Sequence, residues 1–186
     1  MTTPLISALG GFSQVGMIVR DADQVMRYMT ETLGIGPFFV LREITLDNYW
    51  YRGAPAQSPL LTIGMGQAGN VQIEIIQQLD HVPSVYTEFI ASGREGCQHL
   101  AIWFAERGAY TRAYDQLAAN GLRIVQEAGS IEKRRSAYFE SDIPGQPMIE
   151  LSESLLPETR GLSDAVAQAS REWDGADPLR IISVPA

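Results

Sequence analysis

Chemistry at neutral pH needs groups that bind a metal, move a proton or act as nucleophiles, and this sequence places few of them suggestively. It contains two histidines and one cysteine. His99 lies near the start of GCQHLAIWF, residues 96–104. That run reads as a strand with Cys97, His99, Ala101 and Trp103 on one face and Gln98, Leu100, Ile102 and Phe104 on the other. Gln14 occupies a similar place in the first strand-like run, FSQVGMIV, residues 12–19. Glu74 sits within VQIEIIQQL and Glu150 within MIELS, both otherwise mostly apolar. A carboxylate facing a core is costly unless it is paired, metal-bound or protonated. One imidazole, one amide oxygen and two carboxylates form a donor set for a divalent metal, with room for water or substrate in a five- or six-coordinate shell. The competing reading is of strand residues turned to the wet face of an antiparallel sheet.

The elements that would position these residues follow from periodicity. Apolar residues at Val25, Tyr28, Met29 and Leu33 predict a helix over 22–33, with Asp21 as its N-cap and Gly34 as its stop. Gly36-Pro37 breaks the chain before a strand over 38–44. Further strands are expected around 48–51 and 60–65, and the glycines of GMGQAGN suit a hairpin turn into 71–79. The first half is therefore β-α-β-β-β. In the second half, the strand of His99 is followed by a helix over 107–120 and by strands over 122–127, 137–140 and 148–152.

The two halves correspond. Gln14 to Gly34 parallels His99 to Gly121, and VQIEI parallels PMIEL, a repeat of about 80 residues. The expected fold is α+β: one domain over residues 1–186 made of two βαβββ modules, 11–79 and 96–153, whose sheets share one cavity. Residues 80–95 form a helical connector. Residues 154–186 form a C-terminal extension, with a helix near 163–173, packing on the surface, over a cavity mouth or on a second subunit.

Composition removes several function classes. A net charge of −8 argues against a nucleic-acid surface. The densest basic run, Lys133-Arg134-Arg135, could cradle one anionic ligand, although a solvated hairpin is the simpler reading. A single cysteine leaves no disulfide framework or cysteine-rich zinc site. No apolar run approaches the roughly 18–20 residues that cross a bilayer, and Met1 to Leu5 lacks a basic secretion-signal region, so a cytoplasmic location is expected. His81 reads as a loop residue. Tyr49, Trp50, Tyr51 and Tyr138 read as core, interface or pocket wall. Cys97 and Ser84 lack the surroundings of nucleophiles.

Taken in order, QVGMIVRDAD, LGIGPFF, VQIEIIQ, GCQHLAI and MIEL resemble the vicinal oxygen chelate superfamily, which includes glyoxalase I, methylmalonyl-CoA epimerase, extradiol dioxygenases and bleomycin resistance proteins. The resemblance spans roughly residues 11–153 and implies paired βαβββ modules around a metal. It implies Gln14, Glu74, His99 and Glu150 as ligands of Zn²⁺, Mn²⁺, Co²⁺, Ni²⁺ or Mg²⁺. Gln14 departs from the usual histidine, but the Gln-Glu-His-Glu set is that of the eukaryotic type of glyoxalase I. Ile18 stands where glyoxalase I has a glutathione-binding arginine, which disfavours glutathione. The connector QQLDHVPSVYTEFIASGREGCQHLAI is most similar to the epimerase branch, although Gln98-His99 replaces its usual His-His. That branch uses two carboxylates as acid and base, which implies Glu150, also a ligand, and Glu43 on the second strand.

The implied chemistry is proton abstraction next to the carbonyl of a small acid or acyl-CoA. The metal acts as a Lewis acid on the developing enolate, and the proton returns as epimerisation, isomerisation or a lyase reaction. The rival is a metal-free small-molecule binding or resistance protein of the same fold. An extradiol-type Fe(II) oxygenase is disfavoured because Gln14 removes one of its two histidines. The superfamily also makes a homodimer an expectation.

Overall fold

The first helix is fixed by its caps. The Asp21 side chain accepts from the Gln24 amide at 2.9 Å, and Gly34 ends the helix in the left-handed region, at φ 66°. The computed structural model describes residues 10–182, so Met1 to Leu5 lie outside the described residues. The first half contains β1 (Gln14–Ile18), α1 (Ala22–Leu33), β2 (Phe38–Ile44), two short strands β3 (Trp50–Tyr51) and β4 (Ala54–Pro55), then β5 (Leu61–Ala68) and β6 (Val71–Gln78). The connector helix α2 (Val85–Ala91) begins with a capping box in which Ser84 and Thr87 satisfy each other's backbone amides. The second half contains β7 (Gly96–Trp103), α3 (Arg107–Ala119), β8 (Arg123–Gly129), β9 (Arg135–Glu140) and β10 (Met148–Ser152). The extension adds α4 (Gly161–Arg171) and β11 (Leu179–Ile181).

All strands join one mixed sheet in the order β11-β2-β5-β6-β1-β7-β10-β9-β8-β3-β4. Within each half the first strand pairs in parallel with the last, β1 with β6 and β7 with β10, and the halves meet through antiparallel β1 and β7. The α+β fold of paired modules is therefore present. Residues from β5, β6, β8, β9 and β10 line one cavity, so the sheet bends around it.

The two faces of the sheet have different cover. On the outer face, α1 packs Ala22 and Met26 against Phe38, Val40 and Ile75, and α3 packs Tyr110 and Leu117 against Ile102, Phe139 and Leu151. On the inner face one cluster joins both halves, with Ile18, Ile63 and Ile76 meeting Val125 and Tyr138. Val85, Tyr86 and Phe89 of α2 and the fully buried Val166 of α4 complete that cluster. The extension thus packs on the inner face of its own chain.

Two features depart from the sequence reading. The strand expected around 48–51 shrinks to Trp50–Tyr51 and pairs with Glu127 and Gln126 of β8, so it leaves the first half for the edge of the second. The strand β11 falls beyond the expected tail helix and extends the sheet parallel to β2, with Leu179 opposite Phe38. No helix among the described residues is long and apolar enough to cross a membrane.

Candidate metal centre and active site

Four adjacent strands, β6, β1, β7 and β10, carry the candidate ligands in two neighbouring rows. Glu74, Gly16, His99 and Met148 are register partners in one row, and Gln72, Gln14, Ala101 and Glu150 in the next. Small residues at Gly16 and Ala101 leave room between the polar ones. His99 Nε2 lies 3.4 Å from Glu74 Oε2 and 3.3 Å from Glu150 Oε2. Ligand atoms of these three residues all fall within 4.8 Å of one another.

The other imidazole nitrogen is held by a neighbour that strand alternation would send away. The register of β7 against β1 skips from His99 to Cys97 opposite Gly16 and Met17, leaving Gln98 as the extra residue of a β-bulge. The bulge turns Gln98 and His99 to the same side, and Gln98 Oε1 lies 2.8 Å from His99 Nδ1. Cys97 is exposed instead. The expectation that Gln98 faces away from His99 is corrected, because a period-2 reading fails at a bulge. With Nδ1–H donating to Gln98, the imidazole turns Nε2 toward the two carboxylates.

That nitrogen is fully buried and makes no hydrogen bond. Burial alone would lower the pKa of His99, but Glu150 and Glu74 outweigh it and push the value up to about 9. The centre thus favours a cation between these groups, either a proton on Nε2 or a metal ion. The donor set of one imidazole and two carboxylates suits a divalent metal of borderline to hard character.

Gln14 is buried beside this centre and lines the cavity, its Nε2 donating to Gln72 Oε1 at 2.8 Å. That bond orients the amide and leaves its oxygen as the group available for a cation. Gln72 shares the inward face with Glu74, a position the alternation of VQIEI already marks; sequence reading passed over it because an amide in a strand carries no distinctive signal. Tyr138 stacks edge-on against His99, with ring centroids 4.8 Å apart. Burial, and next the charge of Glu150, hold its hydroxyl well above the usual tyrosine range, so it stays protonated.

Glu43 does not join this group. It is exposed at φ 51° on an irregularity of β2 between Leu41 and Ile44, and it is not among the residues lining the cavity. It lines an outer hollow together with Asp47, Lys133 and Arg134, which adjoins the cavity through the shared residues Leu46, Arg134 and Ser136. His81 is an exposed loop residue, as its sequence position suggests.

The cavity over the centre has a volume of about 90 Å³. Gln14, Gln72, Glu74, Glu150, Tyr86 and Tyr138 contribute to its walls, and Thr159, Leu162 and Ser163 of the extension close one side. The sequence left the extension a place on the surface, over a cavity mouth or on a second subunit, and its composition does not choose among them.

A family model described as the glyoxalase/bleomycin resistance protein/dioxygenase superfamily matches residues 13–139. The chain belongs to this superfamily. No curated protein matches this glyoxalase-superfamily chain in sequence. Among solved structures it is similar to a hypothetical protein from Bacillus halodurans C-125, with 16% identity, a TM-score of 0.53, and coverage of 76% of this chain and 91% of that one. It is also similar to methylmalonyl-CoA epimerase from Mycobacterium tuberculosis, with 21% identity, a TM-score of 0.52, and coverage of 82% and 91%. The Streptomyces coelicolor methylmalonyl-CoA epimerase in complex with 2-nitronate-propionyl-CoA gives 14% identity, a TM-score of 0.51, and coverage of 76% and 92%. At these identities the likeness carries the fold.

Proposed function

We propose that this superfamily member is a divalent-metal-dependent isomerase, epimerase or lyase that removes a proton next to the carbonyl of a small acid or acyl-CoA-type substrate. The observation that carries this reading is the buried, unpartnered Nε2 of His99 facing the carboxylates of Glu74 and Glu150. His99, Glu74, Glu150 and the Gln14 amide oxygen would hold the ion. When bound, the metal supplies Lewis-acid stabilisation of negative charge on a substrate oxygen, worth several kcal/mol.

The chain's own residues do the rest. Glu150 accepts the α-proton at its carboxylate, lining the cavity as the register partner of Tyr138. The protonated Glu150 carboxyl returns the proton, and Tyr138, kept neutral by burial, can donate a hydrogen bond to a substrate oxygen. Glu43 is not assigned the acid role, because it lines the outer hollow. Gln98 and Gly16 orient the imidazole, and the inner-face cluster with α4 limits water around the reacting carbon. The fold's epimerase neighbours support substrates of this class. A soluble, small-molecule enzyme acting in the cytoplasm, as a homodimer, completes the proposal.

The experiment is a metal titration of protein purified without chelators, followed by α-proton exchange with D₂O over a panel of small acids and acyl-CoA thioesters. Near-stoichiometric metal and metal-dependent exchange are expected. Less than about a tenth of an equivalent, with no affinity on titration, would favour the metal-free binding protein instead.

A further inference from the structure

The three consecutive basic residues of the β8–β9 turn meet different fates. Lys133 Nζ is paired with Asp47 Oδ2 at 2.5 Å. Arg135 is locked onto the buried Glu153, with Nη2 at 2.6 Å from Oε1. Arg134 has no carboxylate within ion-pair distance among the described residues; its side chain makes one long hydrogen bond, Nη1 to Ser154 Oγ at 3.4 Å. Its side chain lines both the inner cavity and the outer hollow, so it stands at the passage between them.

A second donor faces the same space. Gln72 Nε2 is buried in a residue only 2% exposed, has no hydrogen-bond partner, and belongs to the cavity wall. An orphan amide donor and an unpaired guanidinium both call for acceptor oxygens on whatever occupies the cavity. The cavity already holds two carboxylates in a chain of net charge −8, so an anion needs a dedicated cation to enter.

Size narrows the ligand further. A volume of about 90 Å³ is room for a handful of waters, at the 10–15 Å³ or so that each requires. Thr159, Leu162 and Ser163 form part of the cavity wall, so a long thioester arm does not fit within it. These residues belong to the extension, beyond the family match, which ends at residue 139.

We infer that the cavity takes a small free carboxylic acid rather than an acyl thioester, with Arg134 holding a carboxylate at the mouth while the other end reaches Gln72 and the Glu74–His99–Glu150 centre. Arg134 is thus a specificity-determining residue, its charge presenting two parallel donors to the carboxylate. This inference rests on the proposed function for the chemistry at the far end, but not for binding at Arg134.

The test uses the full chain, loaded with Mn²⁺ and desalted, with succinate and succinyl-CoA as calorimetric probes. Succinate should bind, Arg134→Gln should weaken it at least tenfold, and Arg134→Lys should recover part of the loss. Succinyl-CoA should bind no better than free CoA. Tight succinyl-CoA binding, no succinate binding to the parent, or an Arg134→Gln protein that binds succinate like the parent would overturn the inference. Mn²⁺ uptake is measured on the same samples. If the parent takes up none, the proposed function fails, while the dependence of succinate binding on Arg134 is still read in that metal-free protein. The exposed position of Arg134 allows the variants to fold, which melting curves verify.

Discussion

The imidazole of His99 lies across the backbone of Gly16, in the space a side chain there would fill. A Cβ at Gly16 would fall 1.8 Å from His99 Cε1 and 2.0 Å from Nε2. The ring is fully buried among strands, so it has no free volume into which to withdraw. Gly16→Ala should therefore displace the imidazole from Glu74 and Glu150, cost about 1–3 kcal/mol of stability, and abolish tight metal binding. Denaturant melts and metal titration check both parts. An alanine variant with the parent's metal affinity would mean that Gly16 does not position the ring.

Gln98 provides a separate handle on the same imidazole. It accepts from Nδ1 and is itself held by weaker contacts to Val85 O and Met148 Sδ. Gln98→Leu keeps the volume but leaves Nδ1 without its acceptor. Metal affinity should fall about 10- to 100-fold, the usual effect of losing such an outer partner. Competition against a chromogenic chelator measures this, and Gln98→Glu, which retains an acceptor oxygen, should lose less.

The repeat of the two halves was legible because the strand-helix pattern recurs and the helix of each half is followed by a glycine in the left-handed region, Gly34 and Gly121. Asp21 and Gly34 bound α1 where the periodicity placed it, and VQIEI and MIEL showed which carboxylates share a face. What failed was information that lies between distant residues. The bulge at Gln98 arises from the register of β7 on β1, which a single strand cannot display. The separation of Lys133, Arg134 and Arg135 depends on Asp47 and Glu153, carried to them by the fold. β3 is too short to show a period; it pairs with β8 and is tied to α2 by Arg52 and Tyr51 reaching Glu88.

The two carboxylates of the centre should separate in kinetics. Glu150→Gln keeps an oxygen donor but removes the proposed base, so metal binding should weaken while α-proton exchange falls at least a hundredfold, the lower range for general-base loss. Glu74→Gln should weaken metal binding comparably, yet restore much of its exchange at saturating metal. Equal exchange by parent and Glu150→Gln, at saturating metal, would remove Glu150 from the base role.

Acid should loosen the contact between α2 and the β3 hairpin. Arg52 Nη2 lies 2.6 Å from Glu88 Oε2. The hydrogen bond from Arg52, working against partial burial, holds the Glu88 carboxyl below its ordinary value of 4.5. A lowered native pKa adds stability above the ordinary value, and that stability is lost as pH falls through the lowered one. The melting temperature of Glu88→Gln should lie below the parent's near pH 6, and the gap should narrow as pH falls below 4.5. A gap that stays constant through this range would show that ionisation of Glu88 contributes nothing.

Glu153 ties the end of the second module to the turn that presents Arg134. Its carboxylate is fully buried and receives Arg135 Nε and Nη2, the Arg135 backbone amide at 3.0 Å, and Arg107 Nη1 at 3.1 Å. Arg135 also stacks over Tyr110, 4.4 Å from the ring centroid, which fixes the guanidinium on a second side. A buried carboxylate with this many donors cannot lose its charge cheaply, because the remaining donors are left facing a neutral group. The arginines keep some contact with water, so the cost of Glu153→Gln should sit at the low end for a broken buried pair, about 3 kcal/mol. The same change should raise hydrogen exchange at residues 130–135 and weaken succinate binding through Arg134, while leaving Mn²⁺ uptake intact, since none of these groups touches the centre. Removing charge from both sides, as Glu153→Leu with Arg135→Met, should recover part of the lost stability but not succinate affinity. That combination separates the ion pair's energy from its service in placing Arg134, because only the second depends on where the turn is held.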